Sequence, residues 1–148
     1  MRSLPRTALI AVASVATLVP SAPVGAGAGY VVVVNQANAL DRFSRAELSR
    51  LFLKRTLVWP DGKTAKPCDL SGTSPIRKAF SQEVHGKPVW VVAAYWQQEI
   101  ASGRSAPPGL CASELLALQA VREDPGGVAY VAEGLPLGPG VKALAVEP

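Results

Sequence analysis

Tyr30 to Asn35 reads YVVVVN, four consecutive valines between an aromatic residue and an amide. A half-exposed strand alternates apolar and polar residues, so this unbroken β-branched run predicts a short strand buried on both faces. Downstream the periodicity changes. Ser44 is followed three residues later by Glu47, the spacing of a capping box, and Phe43 and Leu48 occupy the two positions of a hydrophobic staple. A helix is therefore predicted to begin at Ser44, with Leu48, Leu51 and Phe52 as its inward stripe. Trp59-Pro60-Asp61-Gly62 reads as a turn, and Thr64 to Pro67 as a short strand. A second helix is predicted from Ser74, which can cap it, through Pro75 at the first helical position, to Gly86, with Ile76, Phe80 and Val84 as its apolar face. Val89, Val92, Ala93, Trp96 and Ile100 recur at helical spacing and predict a third helix, followed by a loop from Gly103 to Gly109. Ser113 and Glu114 open a fourth helix carrying Leu115, Leu118 and Val121. Asp124-Pro125-Gly126-Gly127 breaks it, and Val128–Val131 and Val141–Val146 read as closing strands. Strands alternating with helices predict an α/β domain, a small central sheet flanked by helices.

The chain has 148 residues, the length of one ordinary domain, and its 49% apolar and 18% charged residues are a globular composition. Thirteen glycines and thirteen prolines favour short elements and many turns over a long helical bundle. At the amino terminus, Arg2 and Arg6 precede the uncharged run Ala8–Val19, and Pro20 and small residues lead to Ala26-Gly27-Ala28. These are the three regions of a secretory signal peptide. The apolar run is shorter than the roughly 20 residues that a membrane helix needs. The sequence thus divides into a signal peptide, 1–28, and a domain, 29–148, expected in the periplasm or secreted, with no membrane span after cleavage. Removing the signal deletes two arginines and no acid, which lowers the formal net charge from +4 to +2.

The usual catalytic signatures are missing: no paired metal-binding histidines, no nucleophile-elbow serine, no phosphate-loop lysine and no close cysteine pair. The chain reads as a non-enzyme without cofactor or metal. His85, the single histidine, falls at a predicted helix end and reads as a favourable carboxyl-terminal residue. Asp69-Leu70-Ser71-Gly72-Thr73-Ser74-Pro75 is the informative stretch. Hydroxyl groups around a glycine, just before a helix start, can offer an anion several donors; the same residues also make an ordinary loop and N-cap. Lys54 to Lys78 holds six basic residues against Asp61 and Asp69, so this segment carries +4 and the remaining mature chain −2. An anion would be drawn to it, although the same charges also read as a solvated surface. Nucleic acid is a poor partner, given the export signal and the scarcity of aromatics interleaved with the bases. Cys68 and Cys111 are the only cysteines, and in an exported chain either a disulfide or two buried thiols fits them. Trp59, Trp90, Tyr95, Trp96 and Tyr130 read as core.

The order of Val31–Asn35, LSRLFLK at Leu48–Lys54, WPDG at Trp59–Gly62, RKAF at Arg77–Phe80, Tyr95–Trp96 and PGGVAYV at Pro125–Val131 resembles the phosphate ABC transporter substrate-binding family, in particular its short periplasmic members. Full-length members are two-lobed clamshells of the type 2 periplasmic-binding fold, and this chain resembles the second lobe. The resemblance implies a single lobe that binds inorganic phosphate or a related oxyanion through Ser71, Gly72 and Thr73, linked to an ABC transporter or a second copy of itself. In the family, an arginine four residues before the serine pairs with the anion and is held by an aspartate two residues before it. Those positions here are Pro67 and Asp69, so the resemblance leaves Lys66 or Arg77 to supply the charge, with Asp69 orienting it. A lobe that has lost its ligand and serves as an interaction module is the competing expectation.

Overall fold

The computed structural model describes residues 29–148, and the expected signal peptide lies outside the described residues. β1 (Tyr30–Asn35) runs near the middle of a six-stranded mixed sheet. Val32, Val33 and Val34 are all inaccessible, so both faces of this strand are covered, as the valine run predicts. β1 pairs antiparallel with β5 (Gly127–Ala132) on one side and with β6 (Val141–Glu147) on the other. Three short strands complete the sheet in parallel pairings: β2 (Arg42–Ser44) on β6, β3 (Lys66–Asp69) on β5, and β4 (Gly109–Leu110) on β3. The order is β2-β6-β1-β5-β3-β4.

The helices form where their caps place them. α1 (Arg45–Phe52) starts at Ser44: the Glu47 N–H donates to Ser44 Oγ at 3.2 Å, and the Ser44 N–H donates back to Glu47 Oε2 at 3.1 Å. α2 (Pro75–Phe80) starts at Ser74, whose hydroxyl accepts from the Arg77 N–H at 3.3 Å. It widens into a π-helical turn over Ser81–His85 and stops at Gly86, whose φ of +64° is a left-handed conformation that glycine adopts without strain. α4 (Glu114–Glu123) is capped by Ser113. Two of its last carbonyls, those of Val121 and Arg122, accept from Asn35 Nδ2 at 2.9 and 3.0 Å, which ties the helix to the end of β1. α4 packs on β1, β3, β5 and β6, while α1 and α2 pack on β1, β2, β3 and β5. Leu48, Leu51, Phe52, Phe80 and Tyr130 fill the core, with the Phe80 and Tyr130 rings stacked 3.8 Å apart. At Gly126 a Cβ would run into the Thr64 carbonyl, so only glycine lets β5 approach this closely.

Several expectations are corrected. The strand predicted at Thr64–Pro67 runs instead from Lys66 to Asp69; Thr64 only bridges to Val58 across the Trp59–Gly62 turn. β2 and β4 were not predicted, being too short to carry a periodic signal. α3 (Val89–Ala101) forms as predicted, but its stripe does not bury: Val92 and Trp96 are inside, Val89 is half-buried, and Ala93 and Ile100 are exposed. The reason is that α3 packs mainly on the π turn, with the Tyr95 hydroxyl donating to the Leu53 carbonyl at 3.1 Å, and has no comparably extensive packing on the sheet. In α4, Leu115 is exposed, and the buried positions are Ala117, Leu118 and Val121. Glu114 continues that face instead, because its carboxylate accepts the Ala132 N–H of β5. Among the aromatics read as core, Trp59, Trp96 and Tyr130 are buried, Tyr95 is half-buried, and Trp90 is exposed.

Candidate functional site

β3 ends at Asp69, and the chain leaves the sheet through Leu70 into Ser71-Gly72-Thr73 before it enters α2. In open α/β sheets, ligands gather just outside the carboxyl ends of the strands, and this loop lies there. Ser71, Gly72 and Thr73 are all exposed. Ser71 Oγ and Thr73 Oγ1 lie 3.0 Å apart, and the Thr73 N–H points at Ser71 Oγ at 3.4 Å. A hydrogen bond between the two hydroxyls uses one of their protons and leaves the other to donate outward. The loop is closed by the Ser74 N–H donating to the Ser71 carbonyl at 2.9 Å.

Beneath the loop lies a buried polar network. The carboxylate of Asp69 pairs with Nη1 of Arg77, and the Tyr130 hydroxyl donates to the same carboxylate. Asp69 and Arg77 are 8% and 6% exposed, so this ion pair is out of bulk water. The Leu70 N–H donates to Asp69 Oδ1 at 3.1 Å, which holds the first residue after the strand. Arg77 Nη1 also lies 3.3 Å from the Tyr130 hydroxyl, while Arg77 Nε is buried without a partner. Burial lowers the Arg77 pKa from its ordinary value, with Tyr130 acting in the opposite sense. Burial also pushes the Tyr130 phenol up to about 12, against the nearby Arg77 charge, so it remains a neutral donor. Cys68 and Cys111 are disulfide-bonded with their Cα atoms 5.9 Å apart, and the Cys111 N–H donates to the Asp69 carbonyl at 2.8 Å. β4 is thereby fastened beside the site.

The sequence-derived candidates do not all converge. Ser71, Gly72, Thr73, Asp69 and Arg77 belong to one strand end and the helix that follows. Lys66 is exposed at the opposite end of β3, paired with Gly127, roughly 10 Å away along the strand at about 3.3 Å per residue. The cationic segment is likewise dispersed. Lys63 pairs with Asp61, Arg77 with Asp69, and the Arg55 guanidinium stands over the Tyr95 ring at 5.4 Å. Tyr130 was not among the candidates. Its place in PGGVAYV marks a buried strand, and nothing in the local sequence shows that its hydroxyl reaches Asp69, 61 residues away.

His85 is not the cation that the helix-end reading expected. Burial, and then the positive charges of Arg77 and Arg55, pull its pKa down to about 4, so it is neutral at pH 7. Its Nδ1 lies 2.8 Å from Ser49 Oγ, which joins the π turn to α1. A cavity of about 750 Å³ lies elsewhere along Tyr30 and Val31, and its charged walls are Glu83 and Glu133, the wrong sign for an anion. Among the described residues, no cluster of three or more metal-ligating side chains occurs.

No protein-family model matches the sequence, and no curated protein matches it significantly. Solved structures do match. The chain is similar to an ABC-type phosphate transport receptor from Vibrio cholerae, with a TM-score of 0.60 and 17% identity over 80% of this chain and 46% of that one. It is similar to a protein from Clostridium perfringens described as a phosphate ABC transporter substrate-binding protein and solved with bound phosphate (TM-score 0.63, 12% identity, 80% and 45% coverage). A third is a possible phosphate binding protein from Planctomyces limnophilus (TM-score 0.61, 16% identity, 81% and 42% coverage). The likeness is one of fold, and the chain spans less than half the length of each. The expected α/β architecture, a single lobe of the type 2 periplasmic-binding kind, is the one observed.

Proposed function

We propose that this chain, which has the fold of one lobe of the phosphate transport receptors it is similar to, binds inorganic phosphate or a related oxyanion. In this reading it is an exported protein of the periplasm or the secreted space, not an enzyme, and it works beside an ABC phosphate transporter. The observation that carries the proposal is the exposed Ser71-Gly72-Thr73 loop at the carboxyl end of β3, which joins the strand and the helix that carry the Asp69–Arg77 pair. The spare hydroxyl proton and the loop amides are the donors. Arg77 contributes positive charge from below, partly offset by Asp69, and so less than the free arginine fork of a two-lobed site. With one lobe, a bound anion stays partly in water, where each charged contact is worth much less than in an enclosed site.

Isothermal titration of residues 29–148 with phosphate and with sulfate tests this. The expected result is saturable phosphate binding that Ser71→Ala and Thr73→Ala each weaken. No binding at millimolar phosphate, where the free energy is only about −4 kcal/mol, would sink the reading.

A second reading is supported by two observations. Asp69 already neutralises Arg77, and α3 exposes Trp90 and Ile100, 73% and 57% accessible. A lobe that has become a protein-interaction module would keep its internal ion pair and present such an apolar helix to a partner. In that case neither anion binds, and Trp90→Ala abolishes association with the partner.

A further inference from the structure

Gly72, at the centre of the loop that carries the candidate anion donors, also lines a second cavity. This space, about 560 Å³, is bounded by Gly72, Lys78, Gln82, Pro88, Val89 and Trp90. Of the three tryptophans, Trp59 and Trp96 are 2% and 7% exposed, whereas Trp90 is 73% exposed. An indole left in water gains nothing from burial, and here it stands at the edge of a cavity that Gly72 shares.

The wall is rigid. Ser81, fully buried in the π turn, donates its hydroxyl to the Lys87 carbonyl at 2.8 Å, and Gly86 reverses the chain in a left-handed conformation. Together they bring Pro88, Val89 and Trp90 back beside Lys78 and Gln82. Gly72 is packed against this returning segment: a Cβ there would lie 3.2 Å from Val89 Cγ1. Single π-helical turns of this kind are frequent at functional sites, because the extra residue re-aims the chain that follows. Lys78 is exposed and makes no ion pair among the described residues.

A bare oxyanion would use the loop and leave the rest of this surface idle. A phosphate monoester carries close to two negative charges at pH 7 and a covalently attached organic group. Such a ligand combines a phosphate suited to the Ser71 and Thr73 hydroxyls and the exposed Lys78 with a flat organic group suited to the Trp90 indole. We propose that the cavity between Gly72 and Trp90 is a subsite for the aromatic group of an aryl phosphate monoester. This rests on the anion-binding reading of Ser71-Gly72-Thr73 and narrows its ligand class.

The test compares phenyl phosphate, glycerol 3-phosphate, inorganic phosphate and phenol by titration calorimetry, on residues 29–148 and on the Trp90→Ala variant. Aromatic stacking of this type predicts that phenyl phosphate binds about tenfold more tightly than glycerol 3-phosphate. Trp90→Ala removes that advantage and leaves inorganic phosphate binding unchanged; the side chain is exposed, so the variant folds. Equal affinity for the two esters, with inorganic phosphate still bound, overturns the subsite and leaves the anion site standing. Phenol binding as tightly as phenyl phosphate overturns it also, because the cavity would then be indifferent to the phosphate. A dimer that sedimentation detects and Trp90→Ala dissociates would show the indole to be covered by a second copy, against the proposal. Failure of every anion to bind overturns both readings.

Discussion

Asp69 and Arg77 close an ion pair between the last residue of β3 and the first turn of α2, with both side chains less than a tenth exposed and the Tyr130 hydroxyl donating to the shared carboxylate. The pair connects strand, loop and helix at the point where the candidate anion donors sit. Burial of two charges is expensive, and their attraction compensates only while both are present.

Removing one partner should therefore cost far more than removing both. Asp69→Ala strands the Arg77 charge and is expected to lower stability by about 3–5 kcal/mol. Tyr130→Phe removes one donor from the carboxylate and should cost about 1–3 kcal/mol. The double replacement Asp69→Leu with Arg77→Met leaves no charge unpaired, and its loss should be smaller than that of Asp69→Ala alone. Urea unfolding of the three variants decides this: a double variant less stable than Asp69→Ala would mean that the pair itself is strongly stabilising.

Lys66 offers a test of which charges matter for an anion. It stands at the far end of β3 from Ser71, paired with Gly127. Lys66→Met is expected to change phosphate affinity by less than about twofold, because exposed charges roughly a Debye length apart are largely screened at physiological salt. A tenfold loss in calorimetry at that salt would move the site to the other end of the strand.

The disulfide closes a loop across 43 residues between Cys68 and Cys111. Constraint of the unfolded chain by a loop of that length is worth about 4 kcal/mol in the chain-entropy model. Reduction, or Cys68→Ser with Cys111→Ser, should lower the unfolding midpoint in urea accordingly. It should also loosen β4, which hangs on β3 through this bond and the Cys111–Asp69 backbone contact. An unchanged midpoint after complete reduction would contradict the prediction.

His85 makes stability depend on pH. Its pKa is about 4 in the folded chain, against 6.5 for the ordinary side chain, because burial and the charges of Arg77 and Arg55 oppose protonation. Between those values the unfolded chain binds the proton and the folded chain does not, so stability is fully present above about pH 6.5 and falls as pH drops towards 4. The loss attributable to this residue is of order 2–3 kcal/mol. His85→Gln keeps a hydrogen-bonding group for Ser49 and should flatten that part of the profile. If the wild-type and variant denaturation curves keep the same pH slope between 4 and 6.5, the assignment is wrong.

The elements governed by neighbouring residues were legible before the fold was known. The valine run, the Ser44–Glu47 box, the Ser74-Pro75 start and the Gly86 stop each act over a few residues of chain, and each appears where its local chemistry puts it. The outward apolar surface was not legible. Periodicity identifies the apolar stripe of α3 but not whether a layer covers it, and α3 is covered mainly by the π turn and, at Tyr95, by the segment that follows α1. In α4 the stripe was misplaced at Leu115 because a backbone donor of β5 claims Glu114.

The same division holds at the site. By itself, the sequence determined that hydroxyl residues flank a glycine at a strand-to-helix junction, that an aspartate precedes them, and that one cysteine and six bases lie in the surrounding segment, while the pairing of Cys68 with Cys111 waited for the fold. Only the tertiary structure decided that Asp69 takes Arg77 and Tyr130 as partners, that Lys66 is left at the other end of its strand, and that Trp90 returns beside Gly72. Capping and turn formation depend on chemistry within a few residues, whereas these pairings join positions 8 to 61 residues apart. Their partners are chosen by strand order and by the π turn, which no local pattern encodes.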